Sequence, residues 1–472
     1  MAFVIRNQQF QQSMHQNAST FLDKSEKKAT DLGHRQTINY NIGKYNTAVK
    51  AGKNQFSDLM TARERAKNIK WRAIEQLDKH LEEFESNLTR RGGKVIWAEN
   101  ADQVLEEILA ICKAKNCKSI VKSKSMATEE VHLNSFLADH NIECVETDLG
   151  EYIQQLDGEP PYHIVTPAMH KSKEDVARLF AEKLGTDPGL TPEQLTLVAR
   201  DKLRHKYLEA EIGITGANFI LADTGSIAVT ENEGNARLTT AFPKTHIVLV
   251  GIEKVLPSIA DLALFWPLLA TYGTGQQVTA YNSIFSGPRQ EGETDGPEEM
   301  YVILMDNGRT NILQDTTARE SLYCIRCGSC LNACPVYKNI GGHTYAATYS
   351  GPIGSVITPH LKGMDSYMHL SFASSLCGNC TEVCPVRINL HELLLHNRQK
   401  AVEENYTSGG EKFAWYVWKQ GCNSRKMMNM ASGKMKNFLL RRFFAKSWGD
   451  NRELPVFAAK SFNQQWKERN KY

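Results

Sequence analysis

Seven of the eleven cysteines in this chain fall in two short runs. In SLYCIRCGSCLNACPVY, residues 321–337, Cys324, Cys327, Cys330 and Cys334 are separated by two, two and three residues, and Pro335 follows. Forty-two residues separate Cys334 from Cys377, which with Cys380, Cys384 and Pro385 forms the second run, SSLCGNCTEVCPVRI. This is the spacing of bacterial iron–sulfur loops, in which the fourth Cys of a run ligates the other cluster. Three thiolates spaced by two residues can wrap one cubane and reach three of its irons. A zinc ribbon uses two thiolates per knuckle and a long gap before the second pair, which leaves Cys330 and the Cys334–Pro335 step without a role. A colourless scaffold holding zinc is therefore the alternative to iron. Gly328 with Ser329, and Gly378 with Asn379, leave backbone N–H groups to point at sulfur. Such bonds raise a reduction potential by stabilising the more negative reduced state.

The crossed arrangement assigns Cys324, Cys327 and Cys330 with Cys384 to one [4Fe–4S] cluster, and Cys377 and Cys380 with Cys334 to a second. Where a first cysteine of the second run would fall, the residue is Ser374. Three readings stay open there: Ser374 as a fourth ligand through its alkoxide, an open iron or its loss to give [3Fe–4S], or a serine that only hydrogen-bonds nearby while water or a partner completes the site. With fewer thiolates, the second cluster is expected to be the more labile in air.

The rest of the composition narrows the setting. At 472 residues, 41% hydrophobic and 23% charged, the chain can build two or three domains with a large core. It has no run of eighteen apolar residues, and MAFVIRNQQFQQSMHQ has no apolar signal core, so a cytosolic protein is expected. Its cysteines are then thiols or metal ligands rather than disulfides. Cys112, Cys117, Cys144 and Cys422, outside the runs, read as buried small hydrophobes or solvent-facing thiols. The net charge of +3 is unevenly spread: from Pro385 onward 17 Lys and Arg face 7 Asp and Glu. In EKFAWYVWKQGCNSRKMMNMASGKMKNFLLRRFFAKSW, aromatics, Met and basic residues mix, which fits docking to a partner or an anionic membrane surface, or else an amphipathic helix with a solvated basic face.

Four segments are expected: an N-terminal helical extension (1–67), an α/β domain (68–310), a mainly helical ferredoxin-type iron–sulfur domain (311–398) and a basic helical C-terminal region (399–472). Ser57 and Asp58 can cap a helix that continues through RERAKNIKWRAIEQLDKHLEEFESNLTRR, with Ile69, Ile74, Leu77, Leu81 and Phe84 at helical spacing and Gly92–Gly93 ending it. From Lys94 the pattern alternates. KVIWAE, SIVKSK, ECVETDL and HIVTPA read as strands among helices, and Thr191, Pro192 and Gln194 start one helix with a capping box. Such alternation predicts a mostly parallel sheet. ANFILADTGSIAVTENEG reads as a hairpin, THIVLVGI as a buried strand, ALFWPLLATY as a short helix, SGPRQEGETDGPEE as a loop and MYVILMDNGR as one more strand that closes the domain.

The chain resembles the lactate utilization protein B family. The resemblance runs from about residue 65 to 400. It is carried by VKSKSMATEEVHLN (121–134), ETDLGEYIQQLD (146–157), EIGITGANFILADTGSIAVTENEGNAR (211–237), PKTHIVLVG (243–251), DGPEEMYVILMDNGR (295–309) and both Cys runs. It implies an α/β LUD-type domain, of the fold class of sugar-phosphate isomerases and CoA transferases, followed by a ferredoxin-type part. It also implies an electron carrier in the oxidation of L-lactate to pyruvate beside companion proteins A and C. The missing first cysteine of the second run looks like the family's own pattern.

A second site in the α/β domain is conceivable. Lys122, Lys124 and Ser125, Glu146 and Asp148, and His170 follow expected strands, and open α/β sheets bind ligands outside the carboxyl ends of their strands. The turn Asp223-Thr224-Gly225-Ser226 can cradle an anion, with Lys122, Lys124, Arg237 and Lys244 to recognise a carboxylate such as lactate. The plainer readings are an ordinary hairpin turn and solvated lysines. No dinucleotide-binding glycine fingerprint, phosphate-binding loop or His-Glu metal motif occurs, and the basic tail is a weak argument for nucleic acid. Three functions compete: an electron-transfer subunit, a stand-alone oxidoreductase binding a small carboxylate, and a zinc scaffold. The first is favoured because clusters carry single electrons and no two-electron cofactor is visible.

Overall fold

Short Val- and Ile-rich segments, bounded by Gly, Asn and Asp, set the centre of the molecule. In the computed structural model, which describes residues 17–448 and 453–470, ten of them are strands: β1 (Lys94–Ala98), β2 (Ser119–Lys122), β3 (Glu143–Glu146), β4 (Ile212–Thr215), β5 (Phe219–Leu221), β6 (Ser226–Glu231), β7 (Thr245–Gly251), β8 (Val255–Leu256), β9 (Tyr281–Phe285) and β10 (Glu299–Met305). Six form a wholly parallel sheet in the order β1-β10-β7-β4-β2-β3. A second sheet runs β8-β5-β6-β9, antiparallel except where β5 pairs with β8. All seven residues of β7 are buried, as a central parallel strand covered on both faces requires.

The expected alternation is present, with local departures. HIVTPA is not a strand: His163 Nδ1 accepts from the backbone N–H groups of Val165 (3.1 Å) and Thr166 (3.3 Å), a local bonding that competes with a sheet ladder, and Pro167 can donate nothing. The long helix is two, Leu59–Glu75 and Leu77–Arg90, broken where Gln76 leaves the helical region; Asp58 caps the first through the Thr61 N–H. The capping box at Thr191 and Gln194 forms, with Pro192 at the first helical position. The described part of the N-terminal extension is helical, and Ile38 and Ile42 of the helix Leu32–Gly52 sink into the body; the first 16 residues lie outside the described ones.

The chain divides after Ala401. Residues up to 401 build three hydrophobic clusters, of which the largest joins β5, β6 and β10 to Leu331, Tyr337 and Leu393 of the cysteine region. Residues from Val402 form a separate unit with helices Gly409–Asn423, Arg425–Asn429, Gly433–Trp448 and Phe462–Arg469. In it Phe413, Trp418, Phe443 and Phe462 are each at least 60% exposed. No helix among the described residues is long and apolar enough to cross a membrane.

Candidate iron–sulfur centre and adjoining cavity

Each cysteine run folds as a loop that turns into a one-turn helix. Gly328 (φ +77°) and Gly378 (φ +80°) cap the helices Ser329–Ala333 and Asn379–Glu382. A Cβ at Gly328 would also sit a tight 3.1 Å from both His163 Cε1 and Val165 Cγ2 of the α/β body. Arg326, Leu376 and Arg387, beside the cysteines, hold φ near +50 to +60° (59°, 52° and 51°). Non-glycine residues in this region store strain that the surroundings must over-determine, a trait of functional loops.

Cys324, Cys327, Cys330 and Cys384 line one small cavity, closed by Ile164, Ile325, Ile353 and Val386. Burial pushes the Cys327 thiol up to about 12 and raises Cys330 and Cys384 as well, so these sulfurs would not ionise alone at neutral pH; a bound cation must replace the proton. The N–H groups of Arg326 and Ile388 point at the sulfurs of Cys324 (3.4 Å) and Cys384 (3.3 Å). A set of four soft donors, Cys327 and Cys384 buried and Cys324 and Cys330 half-buried, with N–H groups aimed at sulfur fits an iron–sulfur cluster. Cys334, Cys377 and Cys380 make a second group: Cys380 is pushed up to about 11 by burial and then by the charges of Cys334 and Cys377. Cys377 is exposed. Ser374 Oγ accepts from the Leu376 N–H (3.2 Å), and its carbonyl accepts from Arg398 (2.9 Å). Of the cysteines outside the runs, Cys112, Cys117 and Cys144 are buried and Cys422 is exposed.

The helix Leu59–Glu75 fastens the second run. Arg63 donates to the carbonyls of Glu382 (2.6 Å) and Cys384 (2.9 Å), and Lys67 donates to the Arg387 carbonyl (3.2 Å) while pairing with Glu320 (2.6 Å). Tyr337 and Ser329 reach back to the carbonyls of Tyr162 (2.9 Å) and Tyr272 (2.6 Å). Deeper, Arg309 bridges Glu130 (2.9 Å) and Glu253 (2.5 Å), Tyr349 donates to Glu130 (2.6 Å), and Arg326 faces Glu253 (3.4 Å) while lying 4.2 Å over the Tyr349 ring. This network is almost wholly buried and ties the end of β10 to the loop between Cys324 and Cys327.

A cavity of about 360 Å³ opens beside it, outside the carboxyl ends of the parallel strands. Lys124 and Ser125 come from the end of β2, Asp148 from β3, Asn218 from β4, Lys254 from β7 and Arg326 from the cysteine loop. Of the sequence-derived anion residues only Lys124 lines it, and its ammonium donates to the Val165 carbonyl. Lys122 is buried against Glu129 (3.0 Å) and Glu146 (2.7 Å), Arg237 packs over Tyr281, and Lys244 is 79% exposed. The Asp223–Ser226 turn packs on the end of the helix Leu77–Arg90: Asn87 donates to the carbonyls of Ala222 and Asp223, and Asp223 accepts from Ser258. It is a structural turn. His170 sits apart from the cavity, bonded to Glu159 (3.1 Å).

A family model of the LUD domain matches residues 81–305, and one of a 4Fe–4S dicluster domain matches residues 320–388. Lactate utilization protein B of Shouchella clausii is 40% identical over 463 residues, covering 96% of this chain and 97% of its own. Its counterparts in Bacillus velezensis and Bacillus subtilis are each 47% identical, over 78% of this chain and 78% and 77% of theirs. The chain belongs to the lactate utilization protein B family. In this family member the 4Fe–4S dicluster match encloses all seven clustered cysteines, and the LUD match ends at Met305, the last residue of β10. Neither match reaches Arg63 or Lys70. Lys70, fully buried, donates to the carbonyls of Glu253 (2.6 Å) and Val255 (3.3 Å), and burial lowers it to about 7. Sequence reasoning missed Arg63, Lys70, Glu130, Glu253, Lys254 and Arg309. The available signal was a cation on the apolar stripe of an amphipathic helix, where Arg63 and Lys70 fall in register with Ala66, Ile69, Ala73 and Ile74.

Proposed function

We propose that this chain is the iron–sulfur electron-transfer subunit of a system that oxidises L-lactate to pyruvate, working beside companion lactate utilization proteins A and C. Two [4Fe–4S] clusters are held in the crossed pattern: Cys324, Cys327, Cys330 and Cys384 hold the first, and Cys334, Cys377 and Cys380 the second. The observation that carries this is the convergence of Cys384, from the second run, on the cavity lined by three cysteines of the first. When bound, each cluster takes up and passes on one electron, so the pair matches the two electrons released from one lactate along with two protons. The exposed Cys377 offers the face at which a redox partner approaches, while Arg63, Lys67 and the Arg309 network hold the loops against the α/β body. The second cluster has three thiolates, and Ser374, bonded to its own loop, supports a fourth position open to solvent or a partner. The α/β domain (68–310) is of the sugar-phosphate isomerase and CoA transferase class, and the iron–sulfur domain covers 311–398. EPR of anaerobically purified protein under reductive titration tests this. Two signals that also appear when L-lactate and the companion proteins are added are expected; a colourless protein containing zinc overturns it.

The C-terminal unit docks the protein on an anionic membrane surface. Its exposed Phe413, Trp415, Trp418, Phe438 and Phe443 stand among Lys412, Lys419, Arg441 and Arg442, the mixture that interfacial helices use. Co-sedimentation with phosphatidylglycerol vesicles, lost in high salt, is the expected result; equal binding to neutral vesicles counts against it.

A further inference from the structure

We propose that Glu159, His170 and His343 hold a divalent metal ion of the zinc type, which clasps the cysteine region to the α/β domain. One ligand atom from each side chain lies within 4.8 Å of the other two. His170 Nε2 is 3.1 Å from Glu159 Oε2. Two donors about 2.1 Å from a tetrahedral ion stand about 3.4 Å apart, so this pair is already at ligand spacing. His343 has to close by about 1.4 Å at most, within reach of a side-chain rotation. Two imidazoles and a carboxylate match borderline ions such as zinc, whereas calcium and magnesium take oxygen.

The surroundings hold these side chains in place. The Tyr162 ring stacks on His170 (centroids 4.4 Å apart, planes 19° apart) and meets His343 edge-on at 5.0 Å. Tyr162 is itself buried and bonded to His34 Nε2 (2.8 Å). Gly341 and Gly342 let the chain before His343 lie against it, since a Cβ at either would meet a Tyr162 oxygen at 1.8 Å. His343 Nε2 donates to the Pro160 carbonyl (2.7 Å), an outer bond of the kind that orients a ligating imidazole. Burial lowers His343 and takes His170 to about 4, so both rings are neutral at pH 7, the form that binds metal.

A plain aromatic cluster accounts for the stacking but not for a carboxylate turned to His170. The competing account is an ion pair, because Lys171 lies 3.0 Å from Glu159. Lys171 also pairs with Asp157, so it keeps a counter-charge when a metal takes Glu159. Two carboxylates against one ammonium leave a negative charge to draw a cation. Glu159 is 37% exposed, so water reaches the fourth position. Glu159 and His170 follow the helix Leu149–Asp157 inside the LUD match, and His343 follows Cys334 by one short helix, Pro335–Ile340, inside the dicluster match. Metal held between them fastens the Cys334 end of the second thiol group to the α/β domain. Zinc there is compatible with iron at all seven clustered cysteines.

Anaerobically purified holoprotein, stripped with a chelator and titrated with zinc sulfate, tests this by metal analysis and by zinc-edge X-ray absorption. Expected are a single tightly bound zinc per chain, iron content unchanged, and a nitrogen and oxygen shell at about 2.0–2.1 Å with imidazole scattering behind it. His170→Gln and His343→Gln should weaken zinc at least tenfold, while the exposed His205→Gln should not. Zinc should also raise the thermal midpoint of the wild type and not that of His343→Gln. Absence of bound zinc in the wild type, a sulfur shell at about 2.3 Å, or wild-type affinity in both His variants overturns the site. The wild-type absorption spectrum decides even where a variant loses its clusters. Zinc on histidine without a rise in the midpoint overturns the clasp.

Discussion

Glu253→Gln is the sharpest probe of the network joining the α/β body to the cysteine loops. Burial alone would push this carboxyl up. Arg309, Arg326 and Lys254 outweigh it and hold the pKa at about 2 against an ordinary 4.5. At about 1.4 kcal/mol per unit, the surroundings on balance favour the charged form by about 3 kcal/mol. Removing one partner of a buried pair costs about 3–5 kcal/mol, because the other charge stays buried and uncompensated. Glutamine keeps the shape, so the loss is one of charge rather than packing. With a denaturant slope of about 3 kcal/mol/M, the urea midpoint should fall by about 1 M, read by intrinsic fluorescence and by cluster absorbance on holoprotein under identical anaerobic incubation. Glu299 supplies the control. Its pKa is also held at about 2, by bonds from Lys115 and Lys94, but its side chain is 28% exposed. A surface pair contributes about 0–1 kcal/mol, so Glu299→Gln should shift the midpoint by a few tenths of a molar unit at most. The sign with pH follows from the depressed pKa: the Glu253 contribution is complete above about 4.5 and fades as the pH falls toward 2. Equal losses in the two variants, or none at Glu253, would refute the buried-charge argument.

Cys384→Ser should strip iron from the cluster shared with Cys324, Cys327 and Cys330, and Cys377→Ser from the other; loss of the same EPR signal in both variants contradicts the crossed assignment. Brief air exposure of the wild type should remove the second signal first, and iron counts showing equal loss from both would end the three-thiolate argument. Burial holds His163 and His246 near 3, so the folded chain resists protons that the unfolded chain accepts below 6.5: stability is complete above that pH and falls below it. Moving from pH 7.5 to 5.5 should cost about 1.4 kcal/mol for each, seen as a lower urea midpoint, and a midpoint that rises would contradict the sign. A chain ending at Ala401 should keep its visible spectrum and lose vesicle binding; retained binding places the membrane contact elsewhere.

How far the sequence could be read depended on where each constraint is written. Spacing alone picked out the seven cysteines, because most ligands of one cubane come from neighbouring turns of chain and the remaining one from the other run. The parallel sheet was legible in β7 and β10, whose apolar runs are long. β4 was not: it has four residues, and its Gly213 looks like a breaker. The glycine is there because a Cβ would meet the Thr239 carbonyl oxygen at 1.9 Å, a contact no local pattern announces. β9 was missed because its Asn282 and Ser283 face a half-exposed edge. The anion residues were wrongly gathered for a related reason. Lys122, Arg237 and Lys244 lie near strand or helix ends in the chain, but partners distant in sequence had already claimed the first two, and the third faces solvent.

What the fold adds is a shared wall. Arg326 belongs by sequence to the first cysteine run, yet it also lines the cavity made by the ends of β2, β3, β4 and β7. The same loop therefore carries the thiols on one side and contributes Arg326 to the wall of the cavity on the other. A charge arriving in the cavity must act on the neighbouring sulfurs through a few ångströms of low-dielectric protein, where a unit charge is felt far more strongly than in water. A flexible tether between an α/β domain and a ferredoxin would lose that coupling, because water would enter between them. The Arg309–Glu130–Glu253 network prevents this by burying the junction and satisfying its charges from both sides. Rigid attachment of the two parts is thus a condition for the cavity and the cysteine loops to influence one another.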